Sequence, residues 1–355
     1  MKILFITAEK HVPLVYGGMQ TGTDQLCHSL MERGHKVAVL SGFKHGGLFS
    51  LMASLQKKIL RRKYSRDYGL GYPVWRSWLP WEIIAEAADK EKPDLIVVMA
   101  IEAVRMALEA KKTRIPIVMQ LQDVFFGLHG GDFKELGNIP CIANSNFTAE
   151  KHRAAFGVQP EVIYPFMIPE KYKTNTTREN VTFINPHPKK GRDIALKIAR
   201  LCPKIPFAFI KSWPLSAEDE RYLTAKLSHL PNVTLLPPQK DMRSVYEKCK
   251  ILLAPSICEE AYGRVATEAQ MSGIPVIAST LGGLPEAVGP GGVLIDANAP
   301  IEKWVESINK LWTEKKFYSE LSEAALAYAQ RPEMSLNYQI DAYEKALLKA
   351  VGAPI

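Results

Sequence analysis

Short apolar runs alternate with amphipathic stretches along the first half of the chain. The runs predict buried strands, and the stretches between them predict helices with one polar and one apolar face. After the first run, a polar loop at residues 16–22 precedes a helix predicted over residues 23–33, which Gly34 ends. The strands are predicted at residues 2–7, 36–40, 95–100, 115–119 and 139–143. This alternation predicts a parallel, doubly wound sheet.

The same alternation starts again after a break near residue 165. A polar run at residues 171–180 is predicted to be a linker. A second set of strands is predicted at residues 181–185, 207–210, 233–236, 251–254, 276–278 and 293–295. We therefore expect an α/β fold of two Rossmann-like, doubly wound domains that face each other across a cleft.

The domain boundaries are predicted from this repeat. Residues 1–167 are expected to form the N-terminal domain and residues 176–334 the C-terminal domain. A last amphipathic helix, residues 335–349 in a segment that runs to residue 352, is expected to pack back on the first domain. The chain has 355 residues, a length for which two domains are a better expectation than one core.

Composition narrows the class of protein. The net charge of +8 suits an anionic partner (a nucleotide, a phospholipid surface or nucleic acid), or is a basic surface that aids solubility. The five cysteines include no C-x-x-C pair, which disfavours a metal or redox motif and favours reduced thiols in the cytoplasm. The first apolar run is too short for a signal peptide, and no stretch reaches the ~20 apolar residues of a membrane span. The basic residues form no aromatic-interleaved stripe, which disfavours nucleic-acid binding.

The most informative stretch is residues 254–278. An apolar strand leads into an acidic loop that carries Glu260, and a helix that carries Glu268 begins after Gly263. The two carboxylates converge on one ligand most easily if Glu260 lies in the loop and Glu268 on the first turns of the helix. A helix that begins after a parallel strand is where α/β proteins bind ligands. Carboxylates at that place suit the hydroxyls of a ribose or a sugar ring.

Three further loops at predicted strand ends are rich in glycine or lysine. The Gly17–Gly18 pair lets a phosphate approach the backbone closely, or forms a plain turn. Lys189 and Lys190, just before Gly191, offer charge to a diphosphate, or are solvated lysines near a helix start. The Gly282–Gly283 pair again permits close approach. Each signal is weak alone, but the signals recur at successive strand ends.

The segment from Pro255 to Glu286 resembles the donor-binding signature of retaining GT-B glycosyltransferases of family four. That signature contains a P-S pair, the motif E-x-[FY]-G, a second Glu after four more residues, G-x-P-V-[IV]-A, and a final G-G with a Glu. The matching residues are Pro255, Ser256, Glu260, Tyr262, Gly263, Glu268, Gly273, Pro275, Val276, Ala278, Gly282, Gly283 and Glu286. The Gly17–Gly18 loop, Lys190 with Gly191 and the residues from Ser145 to Thr148 also fit, so the resemblance covers essentially the whole chain.

The resemblance implies a retaining, metal-independent hexosyltransferase without a cofactor. It would move a sugar from a UDP- or GDP-linked donor to a glycan or lipid-linked acceptor hydroxyl, in glycolipid or cell-surface polysaccharide biosynthesis. By the same resemblance, Glu260 would bind the transferred sugar, Glu268 the ribose and Lys190 the leaving diphosphate. The catalytic residues implied are Glu260, Lys190, Gln122 and Asp123. The donor-binding residues implied are Gly17, Gly18, Asn185, His187, Lys189, Lys211, Tyr262, Gly263, Arg264, Glu268, Gly282 and Gly283.

Two departures from the family pattern concern chemistry. Gln122 stands before Asp123 where most relatives have histidine, and a glutamine can hydrogen-bond to a sugar but cannot titrate. His129, a few residues on, is either a substitute for that histidine or a surface-loop residue. Asn185-Pro-His187 stands where an arginine is usual, so Lys190 would carry the diphosphate with help from Lys189, His187 or Lys211. A third departure, Pro165-Phe166 in place of a P-N-G turn, concerns only the hinge.

The acceptor side gives weaker signals. Apolar residues at helical spacing, with basic residues towards the end, predict an amphipathic helix over Leu48–Arg66. It either lies peripherally on the inner membrane face or packs on the first domain. The aromatic residues Tyr72, Trp75, Trp78 and Trp81 form an acceptor groove or part of the core, and Trp213 stacks on the nucleobase or packs. The alternative functions are a sugar-nucleotide epimerase, a phosphorylase of GT-B fold, and a catalytically impaired nucleotide-sugar-binding subunit.

Overall fold

The computed structural model describes residues 1–43 and 63–352 of the chain. It contains two compact units, each built around its own sheet. The first unit comprises Met1–Phe166 and the C-terminal segment that begins at Leu336, and the second comprises Met167–Ser335.

Within the described residues, the first unit is built around an eight-stranded sheet. Its strands are β1 (Lys2–Lys10), β2 (Lys36–Gly42), β3 (Tyr64–Asp67), β4 (Val74–Ser77), β5 (Leu95–Met99), β6 (Ile117–Leu121), β7 (Cys141–Ala143) and β8 (Glu161–Val162). The spatial order is β3-β4-β2-β1-β5-β6-β7-β8, and every neighbouring pair is parallel except β3 with β4. The helices are α1 (Gly18–Glu32), α2 (Ile84–Glu91), α3 (Ala103–Lys111), α4 (Asn146–Phe156) and a C-terminal helix, Leu336–Ala350.

Helices cover both faces of this sheet. Along β1, Leu4 and Ile6 are buried in a core on one face, and Ile3 and Phe5 are buried in a core on the other. Successive side chains of a strand point to opposite faces, so a strand that is buried on both sides reads as a continuous apolar run. The C-terminal helix contributes Tyr343 to the core that contains Phe5.

The second unit is built around a six-stranded parallel sheet. Its strands are β9 (Asn180–Ile184), β10 (Phe207–Ile210), β11 (Val233–Leu236), β12 (Cys249–Ala254), β13 (Val276–Ser279) and β14 (Gly292–Ile295). The spatial order is β11-β10-β9-β12-β13-β14, the 3-2-1-4-5-6 order of a Rossmann sheet. The helices are α5 (Arg192–Leu201), α6 (Ala217–Leu227), α7 (Arg243–Lys248), α8 (Arg264–Gln270), α9 (Leu284–Val288), α10 (Ile301–Thr313) and α11 (Lys315–Ala329).

The predicted α/β fold of two doubly wound, parallel-sheet domains is confirmed. Every strand predicted from an apolar run is present, with ends within three residues of the prediction. The start of α1 is different, because the helix begins at Gly18 and not near Thr23. The carbonyl of Gly17 already accepts a hydrogen bond from the Thr21 N–H at 2.9 Å, so the predicted polar loop forms the first helical turn.

The polar run at residues 171–180 is not a linker. The chain passes from one unit to the other at Phe166–Met167, and the run packs on the second unit. Tyr172 is buried, and the Thr174 N–H donates to Ser272 Oγ at 2.9 Å. The Thr177 N–H donates to the Glu247 carbonyl at 2.6 Å. Backbone N–H groups of this run therefore meet backbone and side-chain partners in the second unit, which a composition argument does not detect.

The amphipathic helix predicted over Leu48–Arg66 lies largely outside the described residues, since 44–62 are not described. The helix prediction is wrong for the last residues of this segment, because Tyr64–Asp67 forms β3, which pairs with β4. Tyr64 is buried against Trp75, with ring centroids 4.5 Å apart, and Arg66 forms an ion pair with Glu91 at 2.6 Å. Among the helices of the described ranges, none combines the length and apolarity that crossing a membrane requires.

Candidate functional site

The strand order of the second unit creates a switch point between β9 and β12. On one side of this point the chain moves from β9 to β10, and on the other it moves from β12 to β13. Open α/β sheets bind ligands in the crevice that forms there, at the carboxyl ends of the strands. The loop after β9 contains Asn185–Gly191, and the loop after β12 contains Pro255–Gly263. The two loops with the strongest sequence signals are therefore neighbours.

The loop after β9 presents Lys190 at the entrance to α5. It forms a single 3₁₀ turn over Pro188–Lys190, and His187 Nδ1 accepts a hydrogen bond from the Lys189 N–H at 3.2 Å. Burial, together with the nearby cationic side chains, lowers the pKa of His187. The ring therefore stays neutral at neutral pH, and Nδ1 remains able to accept this bond.

Gly191 lets the two loops touch. It has a φ of +80°, and a Cβ at this position would lie 1.7 Å from the carbonyl oxygen of Pro255. The contact continues in a hydrogen bond from the Ile257 N–H to the Lys189 carbonyl at 3.1 Å. A residue with a side chain would separate the loops, so glycine is required here for both its φ and its size.

Lys190 and Glu260 form an ion pair across the switch point. Lys190 Nζ lies 2.5 Å from Glu260 Oε1 and 2.6 Å from Oε2, and the Ser256 hydroxyl donates to Oε1 at 2.6 Å. Both side chains are only partly exposed, 19% for the lysine and 16% for the glutamate. Charge-assisted bonds of this geometry are among the stronger ones in proteins. Without a ligand, the cation and the carboxylate that the sequence singled out neutralise each other.

The Gly282–Gly283 pair holds the backbone of Glu260. Gly282 pairs with Glu260 in a parallel bridge, and the Gly283 N–H donates to the Glu260 carbonyl at 2.7 Å. Gly282 has a φ of +67°, and a Cβ there would lie 2.3 Å from the Glu260 carbonyl oxygen. The close approach predicted for this glycine pair is thus an approach to the Glu260 loop.

Glu268 lies on α8, where the sequence placed it, and its carboxylate is buried. The Tyr246 hydroxyl donates to Oε2 at 2.8 Å, and Arg264 Nε donates to Oε1 at 3.3 Å. Burial, and then the charge of Glu268, raises the pKa of Tyr246 well above its ordinary value. The Arg264 guanidinium also donates to the Tyr172 hydroxyl at 3.0 Å. Glu268 is therefore held rigidly, with part of its accepting capacity still unused.

Asp123 and Gln122 lie together at the carboxyl end of β6 in the first unit. Asp123 Oδ1 accepts from His129 Nε2 at 2.9 Å and from the Phe125 N–H at 3.0 Å. Burial alone would raise the pKa of Asp123, but these two bonds and the histidine charge lower it. Within the described ranges, Gln122 Oε1 has no hydrogen-bond partner.

His129 is not a surface-loop residue. It is 4% exposed, and its ring stacks on that of His152 with centroids 5.8 Å apart. The packing of this loop explains the burial, because the His129 carbonyl accepts from the Val104 N–H at 2.9 Å. In this position His129 can act on a ligand only through Asp123.

Two family models match the chain over adjoining segments. The one described as glycosyl transferases group 1 matches residues 170–327, and the one described as glycosyltransferase family 4 matches residues 16–171. The chain belongs to this group of glycosyltransferases. Together the two segments contain both switch-point loops of the second unit and the Gln122–Asp123 pair of the first.

Curated relatives of this group 1 glycosyltransferase match part of its length. The D-inositol 3-phosphate glycosyltransferase of Corynebacterium diphtheriae is 37% identical over 120 residues, 32% of this chain and 28% of the relative. That of Segniliparus rotundus is 32% identical over 181 residues, 47% of this chain and 40% of the relative. The matched segments therefore span less than half the length of these curated relatives.

Solved structures support the fold over the whole chain. Anabaena Alr3699/HepE in complex with UDP and glucose superposes with a TM-score of 0.78 at 21% identity, covering 98% of this chain and 100% of that one. WaaG, a glycosyltransferase involved in lipopolysaccharide biosynthesis, superposes with a TM-score of 0.68 at 14% identity, covering 99% and 100%. At these identities the likeness establishes the fold alone.

Several implied donor-binding residues of this group 1 glycosyltransferase are already engaged elsewhere. Lys211 pairs with Glu220 at 2.5 Å. Tyr262 is buried, and its hydroxyl is 2.9 Å from Thr267 Oγ1, so its side chain packs inside the second unit. Gly263, with a φ of +99°, precedes α8. Only backbone groups at Tyr262 and Gly263 are left to face a ligand.

The Gly17–Gly18 pair lies at the N-terminus of α1. Gly17 is the N-cap in extended conformation, and no side chain caps the helix. The first N–H groups of such a helix have no intrahelical partner and suit an anion. The loop before it is fixed by the fully buried Arg76, whose Nη2 donates to the Val12 carbonyl at 2.8 Å.

The sequence patterns assigned no function to Ser256, and they left two roles for Trp213, stacking on the nucleobase or packing. Ser256 belongs to the P-S pair, and that pair was the available signal for its contact with Glu260. No sequence pattern links Trp213 to Lys190, although the lysine ammonium lies 4.7 Å from the indole centroid. Among the described residues, no group of three or more His, Cys, Asp or Glu side chains could hold a metal ion.

Proposed function

We propose that this chain is a retaining glycosyltransferase that moves a hexose from a nucleoside diphosphate sugar to an acceptor hydroxyl. The observation that carries the proposal is the Lys190–Glu260 ion pair at the switch point, beside the N-terminus of α5. A nucleoside diphosphate sugar offers both partners that this pair needs, a diphosphate for the lysine and sugar hydroxyls for the carboxylate.

In the proposed reaction, cleavage of the bond between the anomeric carbon and the diphosphate oxygen leaves negative charge on that oxygen. A fixed ammonium and helix N–H groups stabilise this charge more strongly as it develops, which is what accelerates the step. Lys190 takes this role. The acceptor hydroxyl attacks the anomeric carbon from the face that the diphosphate leaves, and its proton passes to the departing diphosphate oxygen. The anomeric configuration is therefore retained without a covalent enzyme intermediate.

Glu260 and Glu268 have separate tasks in this proposal. Glu260, which Lys190 releases on donor binding, hydrogen-bonds to the hydroxyls of the transferred sugar. Glu268 binds the ribose through the accepting capacity that Tyr246 and Arg264 leave unused. The glutamates are therefore not the acid and nucleophile of a glycoside hydrolase. The reaction needs no metal, because Lys190 and helix N-termini supply the positive charge.

We propose a uridine donor and a glycan or lipid-linked acceptor. Support for the donor comes from the UDP and UDP-glucose complexes of the HepE structure, and support for sugar transfer from the names of the curated relatives. The five cysteines of the chain are free thiols, which suits the cytoplasm.

One observation favours a second candidate, a nucleotide-sugar-binding subunit without transferase activity. Gln122 cannot exchange a proton, and His129, whose ring contacts Asp123, is buried. Such a protein would bind the donor and leave it intact.

Thermal unfolding with UDP-, GDP-, ADP- and TDP-sugars tests donor binding, because a ligand at 100 times its Kd stabilises the folded state by about 2.7 kcal/mol. Release of nucleoside diphosphate then separates enzyme from binding subunit, and the anomeric configuration of the product tests retention. Lys190→Ala should abolish release while the protein stays folded, with an unfolding midpoint lowered by the loss of the ion pair with Glu260. Full activity of Lys190→Ala would refute the assignment of the leaving group.

A further inference from the structure

Asn185 directly follows β9, at the position where the family resemblance predicts an arginine. Asn185 has a φ of +66° and is 5% exposed. Its Oδ1 accepts a hydrogen bond from the Trp213 N–H at 3.2 Å, so it ties the loop after β10 to the end of β9. Within the described part of the chain, Asn185 Nδ2 has no partner. A non-glycine residue in this conformation is held by its surroundings.

Trp213 in turn contacts Lys190. The ammonium lies 4.7 Å from the indole centroid, a cation–π distance, and the His187 ring packs edge-on against the same indole at 5.6 Å. The indole is 41% exposed, whereas the lysine beside it is 19% exposed. A large aromatic ring is thus kept at the surface beside the one lysine that the proposed reaction needs.

A lysine needs such support more than an arginine does. Its ammonium is a point charge on a flexible stem, while an arginine fork is preorganised for a diphosphate. Glu260 holds Lys190 in the free protein, but a bound donor competes for both groups. The indole is the contact that does not compete, because its neutral ring face offers nothing to a phosphate.

We propose that Trp213 is the positioning residue for Lys190, and that Asn185 fixes Trp213 in turn. This inference rests on the proposed function, since it assumes that Lys190 binds the diphosphate. Asn185, Trp213 and Lys190 together perform the task of the missing arginine: they keep one cation at the switch point after Glu260 has turned to the sugar.

A double-mutant cycle on UDP binding tests this relation, with Kd measured by calorimetry for the wild type, Trp213→Ala, Lys190→Ala and the double variant. Trp213→Ala is expected to weaken UDP binding about 3- to 30-fold, the range of a partly desolvated cation–π contact. In the Lys190→Ala background the same change is expected to have no further effect. Trp213→Phe, which retains a ring face, should restore most of the affinity.

Matched controls separate positioning from other roles of the indole. Lys250 Nζ lies 4.4 Å from the centroid of Trp312, near the amino end of β12 and away from the switch point. Trp312→Phe should leave the Kd for UDP unchanged. Uridine, which lacks phosphate, should bind Trp213→Ala and wild type equally. The unfolding midpoint of Trp213→Ala should fall only slightly, because 41% of the tryptophan is exposed in the folded protein.

The outcomes are distinguishable. If Lys190→Ala itself leaves UDP binding intact, the proposed function and this inference both fail. If Lys190→Ala weakens binding and Trp213→Ala is equally harmful with and without the lysine, the function stands and the positioning role is refuted. A loss of uridine affinity in Trp213→Ala would likewise refute it, and would assign the indole to the nucleobase.

Discussion

Lys190 Nζ is hydrogen-bonded to both carboxylate oxygens of Glu260, at 2.5 and 2.6 Å. The two residues are 70 positions apart in sequence and meet because β9 and β12 are neighbours in the sheet. Each side chain neutralises the other in this ion pair. Donor binding in the proposed function is therefore an exchange, in which a diphosphate replaces Glu260 at Lys190 and sugar hydroxyls replace Lys190 at Glu260.

Removal of the Glu260 charge should have opposite effects on binding and on transfer. In Glu260→Gln the lysine is released, so UDP should bind roughly 2- to 10-fold more tightly, the gain from one partly exposed ion pair. Sugar transfer should fall by about 100-fold or more, because charged hydrogen bonds to the sugar are lost. Calorimetry with UDP and release of UDP from the donor measure the two effects.

Glu218→Gln is the matched control for this change, since Glu218 is an exposed glutamate on α6. Glu218→Gln should alter neither the affinity for UDP nor the rate of sugar transfer. Weaker UDP binding in Glu260→Gln would contradict the exchange.

Gly282→Ala should damage the Glu260 loop beyond the ordinary effect of backbone strain. Gly157 has a similar φ of +73°, and a Cβ added there would have no atom within 4 Å, whereas at Gly282 the Cβ would lie 2.3 Å from the Glu260 carbonyl oxygen. Gly157→Ala should cost about 1 kcal/mol of stability, and Gly282→Ala about 2–4 kcal/mol together with most of the transfer activity. Thermal unfolding and a transfer assay measure both. Equal stability losses in the two variants would show that the contact is unimportant.

Glu268 should confer selectivity for ribose. Glu268→Gln removes a charged acceptor, so the preference for UDP over its 2′- or 3′-deoxy form should shrink about 10-fold. Tyr246→Phe removes only the buried hydroxyl that donates to Glu268, and should cost about 1–2 kcal/mol of stability while the preference for ribose persists. Calorimetric titration of both variants with UDP and its deoxy forms measures this preference. An unchanged preference in Glu268→Gln would exclude the ribose role.

Sequence patterns predicted the structure best where a pattern is compatible with only one local structure. Buried parallel strands read as apolar runs, and the predicted close approach at Gly282 is an approach to the backbone of Glu260. The motif from Glu260 to Glu268 predicted the first glutamate in a loop and the second on a helix, and both lie there. These features depend on residues that are close in sequence, or they recur at successive strand ends.

Features that depend on contacts between distant segments were harder to predict. The helix α1 includes a polar, glycine-containing stretch that was predicted to be a loop, because the Gly17 carbonyl already accepts a helical hydrogen bond. His129 looked exposed because its loop is polar and glycine-rich, yet its ring is buried against Phe126 and His152. The contact of Trp213 with Lys190 arises from the neighbouring positions of β9 and β10, which no sequence spacing encodes.

The first unit should lose stability in acid through His11. Burial, and then the charge of Arg76, lowers the pKa of His11 to about 3, and its Nε2 lies 2.9 Å from the Tyr72 hydroxyl, which donates to Asp24. In the unfolded chain the histidine binds a proton below about pH 6.5. The unfolded state therefore binds more protons than the folded state between about pH 6.5 and 3, and stability falls as pH falls through this range.

His11→Gln removes this proton uptake while keeping a polar partner for Tyr72. Between pH 6.5 and 4.5 the wild type should lose about 2 kcal/mol more stability than the variant, since each proton contributes at most about 1.4 kcal/mol per pH unit. Unfolding midpoints measured over this range provide the comparison. Parallel curves for the two proteins would contradict a neutral, buried His11.

Release of nucleoside diphosphate from a nucleotide sugar tests the central claim most directly. The wild-type chain and Lys197→Ala, an exposed lysine on α5, should release UDP from UDP-glucose at equal rates when an acceptor is present. Lys190→Ala should release it at least 100-fold more slowly, as expected when one fixed charge at the leaving group is lost. No release from any of the UDP-, GDP-, ADP- or TDP-sugars by the wild type, or equal release by Lys190→Ala, would contradict the account.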